Sequence, residues 1–159
     1  MTRQPPPLGR RGEGWVVLQV GLLVLAAASG VLGPTVDGPL RDLARWPGLA
    51  LGLAGGALAL RGVWDLRGQI TPLPYPPDGA RLVATGGYRL VRHPIYGGIV
   101  LGGIGWALLT ASAAAAVMAL VLFVFFDLKA RREEIWLLER LPGYAAYRAR
   151  TRRLIPWIY

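Results

Sequence analysis

Between Ile95 and Phe126 the chain carries no charged residue. Drawn as one α-helix, that stretch is about 48 Å long, well beyond the ~30 Å apolar core of a bilayer. Two short helices joined tightly near Thr110–Ser112 fit better, with a single kinked helix as the alternative. Two further apolar runs precede it. One goes from Trp15 to about Leu32 and is closed by Gly33–Pro34. The other goes from Trp46 to about Val63, and its one charge, Arg61, lies near its end. Charged residues are 17% of the chain, against about a quarter in soluble domains. The sequence therefore predicts an all-α integral membrane protein with about four short transmembrane helices. Glycines 97, 98, 102, 103 and 105 permit close helix contact, and the same small-residue faces are compatible with a homo-oligomer.

The polar segments divide the remainder. Residues 1–14, rich in Pro, Gly and Arg, read as a flexible tail. The apolar run behind Arg3, Arg10 and Arg11 is longer than the core of a signal peptide and is followed by more spans, so it reads as a retained helix. In residues 64–92, Pro72, Pro74, Pro76 and Pro77 prevent a long regular helix. That segment is expected to be a loop with a short extended piece at Leu82–Ala84, and loops often carry function. Residues 127–141 read as a separate helix. Residues 142–159 read as a basic, aromatic, amphipathic segment lying along the membrane interface. With four crossings, only Arg41 and Arg45 of the 18 basic residues fall on the far side. The positive-inside rule then puts both termini, the proline-rich loop and the basic tail on the cytoplasmic side of the cytoplasmic membrane.

A net charge of +9 suggests nucleic acid in a soluble protein. Here the basic residues flank apolar runs and no zinc-finger spacing occurs, so no nucleic-acid partner is expected. The absence of cysteine excludes disulfides, thiolate nucleophiles and cysteine-bound metals. A single histidine excludes a multi-histidine metal site, and no metal is expected. No hydrolytic triad can be assembled, and neither G-x-G-x-x-G nor a Walker A pattern is present.

Two polar clusters remain, Tyr88–Tyr96 before the third span and Arg131-Arg132-Glu133-Glu134 after the fourth. A tight hairpin makes them neighbours at one membrane face. Each residue alone has a plain reading: Arg89 and Arg92 as snorkelling topology markers, His93 as a cap, the acids as surface charges, the tyrosines as interface anchors. Together, opposed Arg/His and Glu groups suit a zwitterion, and the aromatic rings suit a heterocycle or a cation.

The stretch Gly86-Gly87-Tyr88-Arg89-Leu90-Val91-Arg92-His93-Pro94-Ile95-Tyr96-Gly97-Gly98 resembles the G-x-Y-R-x-x-R-H-P-x-Y-x-G signature of the isoprenylcysteine carboxyl methyltransferase and phospholipid methyltransferase families. Glu133-Glu134 followed by Tyr147, Arg150, Arg153 and Pro156 resembles their C-terminal pattern. The resemblance covers roughly residues 80–156 of one membrane domain, 1–159. It implies methyl transfer from S-adenosyl-L-methionine at the ends of the last helices. His93 would contact the methionine carboxylate, and Glu133 or Glu134 the ammonium. Tyr88 and Tyr96 would shape the pocket, and Arg89 and Arg92 would engage the cofactor or its cover. Arg150 and Arg153 would take the carboxylate or phosphate of a lipidic or prenylated acceptor, since arginine matches both bidentately. Glu133, Glu134 and His93 are candidate bases for an ammonium acceptor, though each is also wanted for cofactor binding. Leu141-Pro142-Gly143-Tyr144 departs from the usual Phe-Gly-x-x-Tyr, and Gly87 stands where proline is frequent. The short chain resembles compact prokaryotic members.

Displacement at a sulfonium methyl asks mainly for alignment and water exclusion. A carboxylate acceptor is already a nucleophile at pH 7, whereas an ammonium must first lose a proton, which favours carboxyl methylation of a membrane-embedded acceptor. The alternatives are N-methylation of an amine-bearing phospholipid, a noncatalytic lipid-binding module, and a sterol-reductase-like enzyme.

Overall fold

A computed structural model describes residues 8–159, apart from the side chain of Leu40. Residues 1–7 of the expected flexible tail lie outside the described residues. The helices are α1 (Glu13–Leu32), α2 (Pro39–Asp65), α3 (Gly87–Leu90), α4 (Pro94–Thr110), α5 (Ala113–Arg140) and α6 (Tyr144–Arg150). The described residues form no β-strand, and Leu82–Ala84 has no regular structure. Helix α1, the Arg41–Asp65 part of α2, and α5 are long and apolar enough to cross a membrane, and α4 is a shorter apolar helix.

The lipid-facing character follows from what each helix buries. Only 11% of the apolar window of α1 is buried, against 44% for α5. Helix α5 is thus the centre of the bundle, while Val17, Val24, Leu53 and Leu60 on α1 and α2 stay exposed. Phe125 and Phe126 of α5 pack with Trp15, Val100 and Leu122 in the main core. Helix α4 lies between α2 and α5. On the α2 side the approach is backbone on backbone: a Cβ at Gly105 would sit 2.6 Å from the Gly52 nitrogen and 2.7 Å from the Gly48 oxygen. Small residues are what permit such contact where water drives no association.

The expected hairpin is present. Ala111 takes a left-handed conformation (φ 48°) that ends α4, and the Ser112 hydroxyl accepts from the Ala115 N–H at 3.3 Å to start α5. Other boundaries moved. Helix α2 begins at Pro39 rather than near Trp46, because proline in the first turn lacks only an N–H that would go unpaired there. Helix α5 runs through Asp127 without a break, where the sequence reading ended one helix and began another. No Gly or Pro interrupts residues 113–140, and Arg131 donates to Asp127 at 2.7 Å across one turn. The charges mark a change of surroundings, not the end of a helix.

The C-terminal segment folds back onto the helix ends. Backbone N–H groups of Arg92 and His93 donate to the carbonyls of Arg152 (2.8 Å) and Arg153 (3.0 Å). The Tyr159 hydroxyl donates to Asp127 at 3.1 Å. Two distant motifs are thereby joined at the same end of the bundle.

Candidate active site

The segment Val91–His93 is pinned against the tail, and Pro94 opens α4 directly after it. His93 precedes the helix but its side chain makes no cap bond. Its ring is instead stacked on Tyr96, centroids 5.4 Å apart and planes 2° from parallel. Both ring nitrogens face acids: Nε2 lies 3.3 Å from Glu134 Oε1 and Nδ1 lies 3.8 Å from Glu133 Oε2.

Those two acids are consecutive on α5, about 100° apart around the helix, and they do different things. Glu134 is 2% exposed. Arg92 Nε donates to it at 2.8 Å, Arg153 Nε at 3.4 Å, and Arg148 Nε pairs with its second oxygen at 3.2 Å. Arg92 also donates to the carbonyls of Arg148 (3.2 Å) and Thr151. This knot ties α5, α6, the tail and the Val91–His93 segment together. Glu133 accepts from the Tyr96 hydroxyl at 2.8 Å and faces a cavity.

The cavity holds about 450 Å³, within the ordinary range for small-molecule sites. Tyr88, Arg92, His93, Tyr96 and Glu133 stand on its wall, with Tyr144 and Tyr147 from α6. Its roof is the proline-rich loop, from Gln69 to Val83. Lys129 Nζ donates to the Pro72 carbonyl at 2.9 Å, Tyr75 packs edge-on to Trp136 at 5.3 Å, and Arg140 pairs with Asp78 at 3.5 Å, so the loop is held down along its length.

The tyrosines are donors throughout the physiological range. Burial, then the charge of Glu133, raises the Tyr88 phenol, and burial, then the charges of Glu134 and Glu133, raises that of Tyr144. Burial pushes the Tyr147 phenol up to about 12, and it donates to the Tyr88 carbonyl at 2.6 Å. The Tyr144 hydroxyl is buried on the cavity wall without a hydrogen-bond partner among the described residues. Buried hydroxyls rarely stay unpaired. An acid, donors, an unused hydroxyl and stacked rings around one space suit a zwitterion joined to a heterocycle.

Five of the residues singled out in the sequence therefore meet on one wall: Tyr88, Arg92, His93, Tyr96 and Glu133. The other four do not line it. Glu134 and Arg153 lie in the ion-pair knot, with Arg153 also on Asp127 at 2.7 Å. Arg89 is exposed on α3, one residue past the inward Tyr88, and Arg150 is exposed on α6, bonded at 3.2 Å to its own helix at Ala146. The sequence reading missed Lys129, Gln19 and Tyr144 as wall residues. Each left a signal: Lys129 lies one turn before Glu133 on the same face, Gln19 is a polar amide inside an apolar run, and Tyr144 follows a Pro-Gly turn.

A family model, phospholipid methyltransferase, matches residues 43–142, most of the described chain from α2 to the end of α5. The chain belongs to the phospholipid methyltransferase family. The matched stretch contains the Tyr88–Tyr96 segment and both glutamates but stops before α6, so this family member's Tyr144, Tyr147 and Arg148 lie outside it. A curated relative, the cobalt-zinc-cadmium resistance protein CzcN of Cupriavidus metallidurans, is 37% identical over 76 residues, 47% of this chain and 35% of that protein. The chain thus matches about a third of that relative's length. No solved structure matches.

Proposed function

We propose that the protein transfers a methyl group from S-adenosyl-L-methionine to a lipidic acceptor in the membrane, and that the acceptor group is a carboxylate. The observation that carries this reading is the cavity itself. Glu133, Tyr96 and His93 meet on a wall beneath a proline-rich roof, at one end of helices whose outer faces are apolar. The cofactor, when bound, supplies an electrophilic methyl group on a sulfonium.

The chain's own residues then bind, orient and exclude water. Glu133 accepts from the cofactor's ammonium, and the Tyr96 hydroxyl holds that carboxylate in place. The Tyr144 hydroxyl finds its partner in the ligand. Glu134 is a positioning residue: surrounded by Arg92, His93, Arg148 and Arg153, it fixes the segment that carries the wall. The loop from Gln69 to Val83 keeps water from the reacting atoms. Arg150, exposed on α6, would meet a lipid phosphate or carboxylate at the interface, a role Arg153 could share only by giving up part of its pairing with Asp127 and Glu134. The site and both termini face the cytoplasm on the charge argument.

N-methylation of an amine-bearing phospholipid is the second reading, favoured by the family match. It needs a proton removed before attack, and of the wall residues Glu133 and His93 are the candidate bases.

Calorimetry with S-adenosylhomocysteine on protein in detergent tests the reading. Micromolar binding, weakened about tenfold or more (~1.4 kcal/mol) by Glu133→Gln in a folded sample, is the expected result. Transfer of labelled methyl groups to prenylated carboxylates or to amine phospholipids then separates the two acceptor classes. Absence of binding in both detergent and lipid nanodiscs would sink the reading and leave the noncatalytic or reductase alternatives.

A further inference from the structure

Two nitrogen-bearing side chains of the motif already face carboxylates. Both nitrogens of His93 face carboxylates. Arg92 already holds Glu134 with Nε and the carbonyls of Arg148 and Thr151 with Nη1. A ligand carboxylate would have to compete with Glu134 for Arg92 and with both glutamates for His93.

Lys129 is placed differently. It is the chain's one lysine beside seventeen arginines. Its side chain is 0% exposed and stands on the cavity wall. Nζ donates to Gln19 Oε1 and to the Pro72 carbonyl and lies 5.2 Å from the Tyr96 ring centroid. An ammonium has three donors, so one remains. No carboxylate among the described residues forms an ion pair with it, whereas Arg92, Arg148 and Arg153 all share Glu134. A buried ammonium with no carboxylate in direct contact is costly, and inside a membrane helix such a group marks function more often than architecture. Glu133 is one turn further along the same face, where side chains are about 5–6 Å apart at Cβ. Tyr96 bridges the pair, its ring beside Lys129 and its hydroxyl on Glu133.

We infer that Lys129 binds the carboxylate of the cofactor's amino-acid end and forms, with Glu133 on its ammonium, a clamp for the zwitterion one helical turn long. This rests on the methyltransferase reading and moves the carboxylate contact from His93 to a lysine outside the R-H-P motif. It also gives the roof a link to the ligand, because the same Nζ holds the Pro72 carbonyl.

The test compares two ligands on each protein: S-adenosylhomocysteine, and S-adenosyl-3-thiopropylamine, which keeps the ammonium and lacks the carboxylate. Wild type is expected to prefer the first by about tenfold. Lys129→Met should lose most of that preference by weakening the first ligand alone, and Lys129→Arg should restore part of it. Equal weakening of both ligands by Lys129→Met would assign Lys129 to the roof and overturn the clamp. Unchanged binding of both, with poorer use of the acceptor, would assign it to the acceptor and overturn it as well. Wild type that binds neither ligand sinks the methyltransferase reading together with the clamp. If Lys129→Met does not fold, wild type labelled with ¹³C at lysine Cε gives one lysine side-chain resonance. That resonance should move with S-adenosylhomocysteine and not with the amine analogue; an equal shift with both would overturn the clamp.

Discussion

Glu133 and Glu134 are the same residue type, adjacent, and set to opposite tasks by one step around a helix. Replacing Glu134 with Gln leaves Arg92 and Arg153, both largely buried, around a neutral amide. Breaking a buried pair by removing one partner costs about 3–5 kcal/mol, so the variant should unfold at clearly lower temperature or denaturant in detergent. Glu133→Gln should leave stability nearly unchanged while ligand affinity falls, and the two measurements on the two variants give opposite patterns. The buried phenols add a pH dependence. Tyr147 ionises at about 12 in the folded protein against an ordinary 10.0, and Tyr88 and Tyr144 shift the same way. The unfolded chain therefore loses its tyrosine protons first as pH rises. This contribution to stability is whole below about pH 10 and drains away between about 10 and 12. Denaturant unfolding at about pH 9 and 11 should show the loss, and Tyr147→Phe should reduce it by the Tyr147 share, leaving that of Tyr88 and Tyr144. The wall residues of the motif were legible in the sequence because they sit close together. Lys129 was not, since its meaning depends on Gln19, 110 residues away, and on a loop that only the fold brings overhead.

Among the helices, the α4–α5 turn was legible from length, because residues 95–126 are too long for one crossing and too apolar to leave the membrane for long. Its conformation also carries a prediction. Ala111 occupies the left-handed region, which costs a non-glycine residue roughly 1–2 kcal/mol. Ala111→Gly should raise stability by about 0.5–1 kcal/mol once the lost chain entropy is counted; an unchanged unfolding midpoint would contradict this. The α2–α4 seam makes the opposite forecast. Gly105→Val would drive a branched side chain into the Gly48–Gly52 backbone. Separation of the two helices, seen as loss of folded, monodisperse protein in detergent, is the expected outcome. The continuity of α5 was hidden from the sequence. Charge beginning at Asp127 looks like an ending, but i, i+4 pairing with Arg131 lets the helix carry on. The docking of the tail was hidden too, because its backbone hydrogen bonds join residues about sixty positions apart and its side-chain contacts, Arg153 and Tyr159 on Asp127, have no fixed spacing to read.

At the scale of the whole molecule, apolar surface outside and a polar, cation-rich end are two expressions of one division. The share of charged residues and their clustering showed that division in the sequence; the depth of each helix was not shown. Helix α4 has 17 residues and so spans about 26 Å, against the ~30 Å of typical hydrocarbon. No residue of α4 is exposed, so its mismatch reaches lipid only through the helices that flank it, as thinning of the bilayer or tilt of the bundle, at fractions of a kcal/mol for each Å. Thinning of the bilayer around the bundle would bring a lipid headgroup nearer the cavity, whose wall includes His93, the residue before α4. Reconstituted protein should accordingly be more stable, and turn over faster, in bilayers of shorter acyl chains than in thick ones. Unfolding and methyl transfer measured across a series of phosphatidylcholines of increasing chain length would report it, and membranes of different thickness would then dose the reaction without any change in the protein.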